Sequence, residues 1–139
     1  MRLVIDTNVL ISALLAGTSL PAHLLVLWRG GRFDLLVSVE QLDELMRVTR
    51  YPKIRARLVP ALAGRLVNDL RGLAVAITDL PAVTASADPD DNHLLALAEA
   101  GSADFLLTGD KRDLLALERH AGTRIIAVRA FLEQQHWLP

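Results

Sequence analysis

Short apolar runs recur along the chain, and most lead through a polar turn into a stretch with helical spacing. Leu3-Val4-Ile5, Arg32 to Ser38, Val75-Ala76-Ile77, Phe105-Leu106-Leu107 and Arg124 to Val128 read as strands. Between them the spacing predicts helices from Val9 to Leu15 with Asn8 as N-cap, from Ser38 to about Tyr51, from about Pro60 to Leu73, from Asp88 to Ala100 and from Lys111 to Glu118. Arg129 to about Gln135 suits a last short helix. Ser38 with Gln41 makes a capping-box signature, Pro52 marks the end of the helix it starts, and Gly101 ends the one opened by Asp88 and Pro89. Strands alternating with helices at these lengths predict a three-layer α/β/α fold, a five-stranded parallel sheet with helices on both faces. At 139 residues and 52% apolar content the chain is expected to form a single domain, 1–139.

Composition narrows the chemistry. There is no cysteine, which excludes disulfides, thiolate metal sites and cysteine nucleophiles. Arg2 is followed by only three apolar residues before Asp6, so no export signal is read at the amino terminus, and no run reaches the length of a membrane span. The expectation is a cytoplasmic protein with no membrane partner. Net charge is −1, but it is unevenly spread: the segment from Arg47 to Arg71 holds seven basic residues against one acid, and the rest holds eight against fifteen. That segregation suits a phosphate-binding arm beside an acidic pocket, and equally a solvated helical hairpin.

Carboxylates gather where a parallel sheet places its functional groups, beyond the carboxyl ends of the strands. Asp6 ends the first strand, Asp110 lies three residues past Leu107, and Asp91 sits in the first turn of the helix begun by Asp88. Each has a structural explanation, since Asp88 and Asp91 fit a helix start and Asp110 can cap the helix at Lys111, with Asp113 in its first turn. Together they pose a problem. Two carboxylates about 4 Å apart repel by roughly 4 kcal/mol at an effective dielectric of 20, so a shared pocket must hold protons or a cation. An all-oxygen set favours Mg²⁺ or Mn²⁺, and only four scattered histidines (His23, His93, His120, His136) argue against zinc. His93 is read as a local capping or packing residue. Glu44 lies opposite the apolar face of Leu42, Leu45, Met46 and Thr49, where an ion pair with Arg47 would explain it.

The segments LVIDTNVLISALL, VSVEQLDELMRVTRYPKI, DPDDNHLLALAEAGSADFLLTGDKRDLL and RIIAVRAFL, in this order and spacing, resemble the PIN-domain ribonucleases, especially the VapC-like prokaryotic toxins. The resemblance implies a PIN-like fold and Mg²⁺- or Mn²⁺-dependent hydrolysis of RNA phosphodiester bonds. It also implies a catalytic, metal-holding set of Asp6, Glu44, Asp91 and Asp110. In a supporting role it places Asn8, Ser38 and Thr108 near the acids; the family often has a further acid two residues after the TGD aspartate, where this chain has Arg112, with Asp113 next. Arg47, Arg50, Lys53 and Arg55 are the expected RNA contacts. The resemblance further implies a toxin–antitoxin system, with an antitoxin protein as partner and a homodimer as assembly. The alternatives are a catalytically silent PIN-like module that binds RNA or protein, and a receiver- or phosphatase-type domain. Against the phosphatase, position 8 is Asn8 rather than the second aspartate it requires.

Overall fold

The computed structural model describes all 139 residues, Met1–Pro139. Five strands run parallel: β1 (Arg2–Ile5), β2 (Asp34–Val37), β3 (Val75–Ala76), β4 (Phe105–Leu107) and β6 (Thr123–Ile126). A sixth, β5 (Arg119–His120), turns at Ala121-Gly122 and pairs antiparallel with β6. The sheet order is β3-β2-β1-β4-β6-β5. The five expected strands are all present, and the sixth is the addition. Its two residues are too few to show any periodicity, and its hairpin depends on a positive φ of 51° at Ala121.

Eight helices complete the chain: α1 (Thr7–Leu15), α2 (Leu20–Arg29), α3 (Val39–Thr49), α4 (Pro52–Arg55), α5 (Pro60–Leu73), α6 (Pro89–Ala100), α7 (Leu114–Leu117) and α8 (Val128–Gln135). Because successive strand residues point to opposite faces, the sheet divides the core in two. Leu3, Ile5, Leu35, Val37, Leu107 and Ile126 face a 19-residue cluster with side chains of α1, α2, α3, α5 and α8. Val4, Leu36, Leu106 and Ile125 face a 10-residue cluster built mainly on Leu94, Leu95, Leu97 and Ala98 of α6, with Leu114 of α7. No single helix is long and apolar enough to cross a membrane.

Several local expectations are corrected. The helix α2 occupies a stretch in which the sequence pattern marks no element; Ser19 caps it by accepting from the N–H of Ala22, and Gly30 closes it. Asn8 does not cap α1. Asp6 does, its carboxylate accepting the Asn8 N–H at 3.1 Å. Pro52 ends α3 but also opens the one-turn α4, which its fixed φ favours. Ser38 caps α3 through the Gln41 N–H, yet the Gln41 side chain does not reach back to complete a box; it crosses to donate to the carbonyl of Ile5 at 2.6 Å. The expected helix from Lys111 to Glu118 shortens to α7, because the N–H groups of Arg112, Asp113 and Leu114 turn in towards the Asp110 carboxylate.

Gly101 is where α6 passes tightly over β2. A Cβ there would lie 2.5 Å from Cδ1 of Leu36 and 3.2 Å from the carbonyl oxygen of Leu97, and Leu36 is fully buried, so its methyl has nowhere to go. Gly101→Ala is therefore expected to destabilise the protein by about 1–3 kcal/mol despite alanine's better helix propensity. Chemical denaturation checks this, and a variant at least as stable as the parent would refute the close approach.

Candidate functional site

From β1 the chain steps outward through β2 and β3, then returns by α6 to β4 on the other flank of β1. The helices that follow β1 and β4 therefore leave towards opposite faces, α1 into the larger core and α7 into the smaller. Such a switch point opens a crevice beyond the strand ends. The backbone N–H of Asp6 closes its floor by donating to the carbonyl of Leu107 at 2.9 Å.

Asp6 is 5% exposed and has both carboxylate oxygens engaged. Oδ1 accepts from the Asn8 N–H, and Oδ2 accepts from the Thr108 hydroxyl at 2.7 Å. Burial pushes its carboxyl above the usual range; the hydrogen bonds from Thr108 and Asn8 oppose that shift. The same Thr108 oxygen accepts the Asp110 N–H at 3.0 Å, so one buried hydroxyl links the two strand-end acids. Burial would raise the Asp110 carboxyl, but the N–H groups of Asp113, Leu114 and Arg112, with the Asp91 contact, together hold it below the usual carboxylate range.

From the far side, α6 presents its amino terminus. Asp88 caps it by accepting the Asp90 N–H at 3.0 Å, with Pro89 in the first turn, as expected. Asn92 and Ser86 exchange two hydrogen bonds that pin the preceding loop to the same turn. Asp91 then points at Asp110, close enough for one carboxyl to hydrogen-bond the other. Its Oδ2 is buried and has no hydrogen-bond partner. Burial, the Asp110 contact and the charges of Asp88, Asp110 and Asp6 push the Asp91 carboxyl up to about 7.

A cleft of about 460 Å³ holds Asp6, Asp88, Asp91, Asp110 and Asp113, together with Asn8 and Ser12. Within it, Asp88, Asp91 and Asp113 each offer an oxygen, all within 4.8 Å of one another. Oxygens opposite each other around a small hard cation stand about 4.2 Å apart, so this set and the orphaned Asp91 oxygen fit a divalent ion held by oxygen ligands.

Glu44 lies in an adjoining recess of about 260 Å³ that shares Asp6, Asn8, Asp88 and Asp91 with the cleft and adds Thr7, Arg47, Tyr51 and Asp90. It is not in a surface ion pair. His93, read from the sequence as a local packing residue, reaches across from α6 to place Nε2 3.2 Å from the Glu44 carboxylate. Burial would raise the Glu44 carboxyl, but His93 and the Thr7 hydroxyl bring it below its usual range, and Glu44 correspondingly raises His93. Gln41 stands behind this pair, bonded to Ile5 and within 3.5 Å of the Thr7 hydroxyl.

Thus the structure gathers Asp6, Asp91, Asp110 and Asp113 around one cleft, with Glu44 one recess away. Ser38 lines neither space; it caps α3 from a buried position. Arg47 lines the recess, whereas Arg50 faces a separate hollow with Asn68 and Arg71, and Lys53 and Arg55 lie exposed on α4. Sequence reasoning treated Asp88 only as a cap and did not select Thr7 or Ser12. For Asp88 a signal existed, its place three residues before Asp91 at a helix start.

With Asp91 protonated more readily folded than unfolded, its contribution to stability is fully present below about pH 4 and is lost as pH rises through about 7. Asp91→Asn is expected to remove that loss. In thermal melts with a chelator present, the difference in stability between the variant and the parent protein should grow in the variant's favour between pH 5 and pH 8. Added Mn²⁺ should stabilise the parent more at pH 8 than at pH 5, and a metal effect independent of pH would contradict the proton–cation competition.

Comparison with known proteins agrees with this architecture. Residues 2–112 match the PIN domain family, a span that includes Asp6, Glu44, Asp91 and Asp110 and stops one residue before Asp113. The fold is similar to that of the PIN domain of human SMG5, with a TM-score of 0.52 at 17% sequence identity, over 97% of this chain and 99% of that one. At that identity the likeness speaks for the fold alone. No curated protein sequence matches. With the family match extending from β1 to the turn after β4, over most of its length, the chain belongs to the PIN-domain family.

Proposed function

We propose that this chain is a divalent-metal-dependent ribonuclease that uses Mg²⁺ or Mn²⁺ to hydrolyse RNA phosphodiester bonds. PIN domains are in general metal-dependent nucleases. The observation that carries the reading here is the convergence of three separate stretches of chain, at Asp6, at Asp88 and Asp91, and at Asp110 and Asp113, on one cleft containing a buried carboxylate oxygen without a partner.

In this reading Asp91, with Asp6, Asp110 and the neighbouring Asp88 and Asp113, holds the cation directly or through water. The bound ion supplies Lewis acidity, which activates a water at neutral pH and stabilises charge on the phosphate. The protein's own residues set the geometry. Thr108 keeps Asp6 and Asp110 in fixed relative positions, and three backbone N–H groups keep Asp110 ionised. Thr7 and His93 likewise keep Glu44 ionised beside the cleft, where it can accept a hydrogen bond from a water. Arg47 on the recess wall offers a positive charge to RNA backbone, and Lys53 and Arg55 lie exposed on α4.

A toxin role with a small antitoxin protein as partner, and a homodimeric assembly, extend the same proposal. They rest on the likeness of the sequence motifs to VapC-like toxins. An apolar hollow of about 330 Å³ between α1, α2 and α5, rimmed by exposed Val26 and Leu62, is compatible with a protein partner. The silent-module alternative draws on the engagement of Glu44 by His93, which leaves that carboxylate less free to bind a cation.

One assay separates these readings. Purified protein incubated with a panel of defined RNAs should cleave in Mn²⁺ or Mg²⁺ and stop with a chelator. Asp91→Asn and Asp110→Asn should each lower the rate by roughly 100-fold or more, and Thr108→Val by about 10–100-fold through misplacement of the acids it orients. Cleavage that survives the chelator, or is untouched by both aspartate changes, would reject the metal site. An absence of cleavage with RNA binding retained would favour the silent module.

A further inference from the structure

The geometry points to Tyr51 as a stacking platform for a base of single-stranded RNA lying in the cleft. This rests on the ribonuclease reading for its choice of ligand but concerns a residue that the reading does not use.

The chain has six aromatic residues, and five of them pack into one core. Trp28, Phe33 and Phe131 are buried, Phe105 meets Phe131 edge-on at 5.2 Å, and Trp137 contacts Phe131 at 5.8 Å and Phe33 at 6.5 Å. Tyr51 alone stands apart, 47% exposed and on the wall of the Glu44 recess. A single exposed tyrosine needs no special explanation. Its surroundings supply one. Tyr51 holds the extended conformation required before Pro52, with φ −60° and ψ 133°, which fixes the backbone from which the ring projects. One helical turn earlier, the Arg47 guanidinium lies beside the Tyr51 hydroxyl.

Charge decides what this wall can receive. Asp6, Glu44, Asp88, Asp90 and Asp91 share the recess with one arginine, Arg47. Away from Arg47, a phosphate pressed against that wall would be repelled by the carboxylates, whereas an uncharged base would not be repelled. An aromatic face attracts any base without reading its sequence. The strand would thus keep one phosphate at the cation-binding cleft and turn the base of a flanking nucleotide onto Tyr51.

The test is binding of fluorescent single-stranded oligoadenosine, followed by anisotropy in Ca²⁺, with Tyr51→Phe, Tyr51→Leu and the parent protein. Thermal melts confirm that these surface changes leave the fold intact. The leucine variant should bind about 10-fold more weakly and the phenylalanine variant within about twofold of the parent. An abasic site scanned along the oligonucleotide should weaken the parent at one position by a similar factor and the leucine variant much less. Equal binding by parent and leucine variant, equal abasic losses in both, or no RNA binding by the parent would each overturn the proposal. The two readings fail separately. Mn²⁺-dependent cleavage with an unchanged KM in Tyr51→Leu would remove the stacking and leave the nuclease, whereas stacking-dependent binding by a protein that cleaves nothing would do the reverse.

Discussion

The centre of the sheet governs everything around it. β1 is covered on both faces, with Leu3, Val4 and Ile5 fully buried, and it is flanked by β2 on one side and β4 on the other. That position forces the chain to leave β1 and β4 in opposite directions, so the crevice between their ends cannot be filled by either following helix. What fills it is polar. Asp6, Thr108 and Asp110 follow directly from the strand ends, and their mutual hydrogen bonds satisfy groups that would otherwise be buried without partners.

Four carboxylates beyond Asp6 then crowd the crevice, and the local structure treats them differently. Asp110 is surrounded by N–H donors that hold it below the usual carboxylate range, while burial and the neighbouring carboxylates push Asp91 up to about 7. A site in which one acid is pinned ionised and its neighbour wavers near neutrality has room for a cation in place of that proton. Glu44 is stabilised by a different device, the His93 and Thr7 contacts, with Gln41 tying Thr7 back to β1. The two layers of helices meet here, α3 supplying Glu44 and α6 supplying His93, so the orientation of Glu44 depends on both faces of the sheet being packed.

Much of the architecture was legible because burial writes itself into sequence. A strand covered on both faces must be apolar, and Leu3-Val4-Ile5, Leu35-Leu36-Val37 and Leu106-Leu107 show that pattern; the capped starts at Ser38 and Asp88 mark their helices just as directly. The misses at element ends are local. β5 is held by a two-residue hairpin, α7 is cut short by a side chain that captures the turn's N–H groups, and α1 is capped by Asp6 rather than Asn8. For α1 and α7 competition among neighbouring polar groups decided the outcome, and composition at those positions favours no single winner; β5 is simply too short to leave a pattern.

Asp6, Asp91 and Asp110 could be picked out from the chain because each follows a strand or opens a helix, places where a carboxylate is either a cap or a ligand. Their order and spacing, with the apolar runs between them, determined an α/β sheet with its acids beyond the carboxyl ends of its strands. Only the folded molecule decided that Asp88 and Asp113 approach Asp91, that Glu44 is met by His93 from 49 residues away, and that Tyr51 faces the acids. Those pairings arise from the crossing of helices packed on opposite faces of a sheet, and no local pattern of residues encodes where two such helices will end.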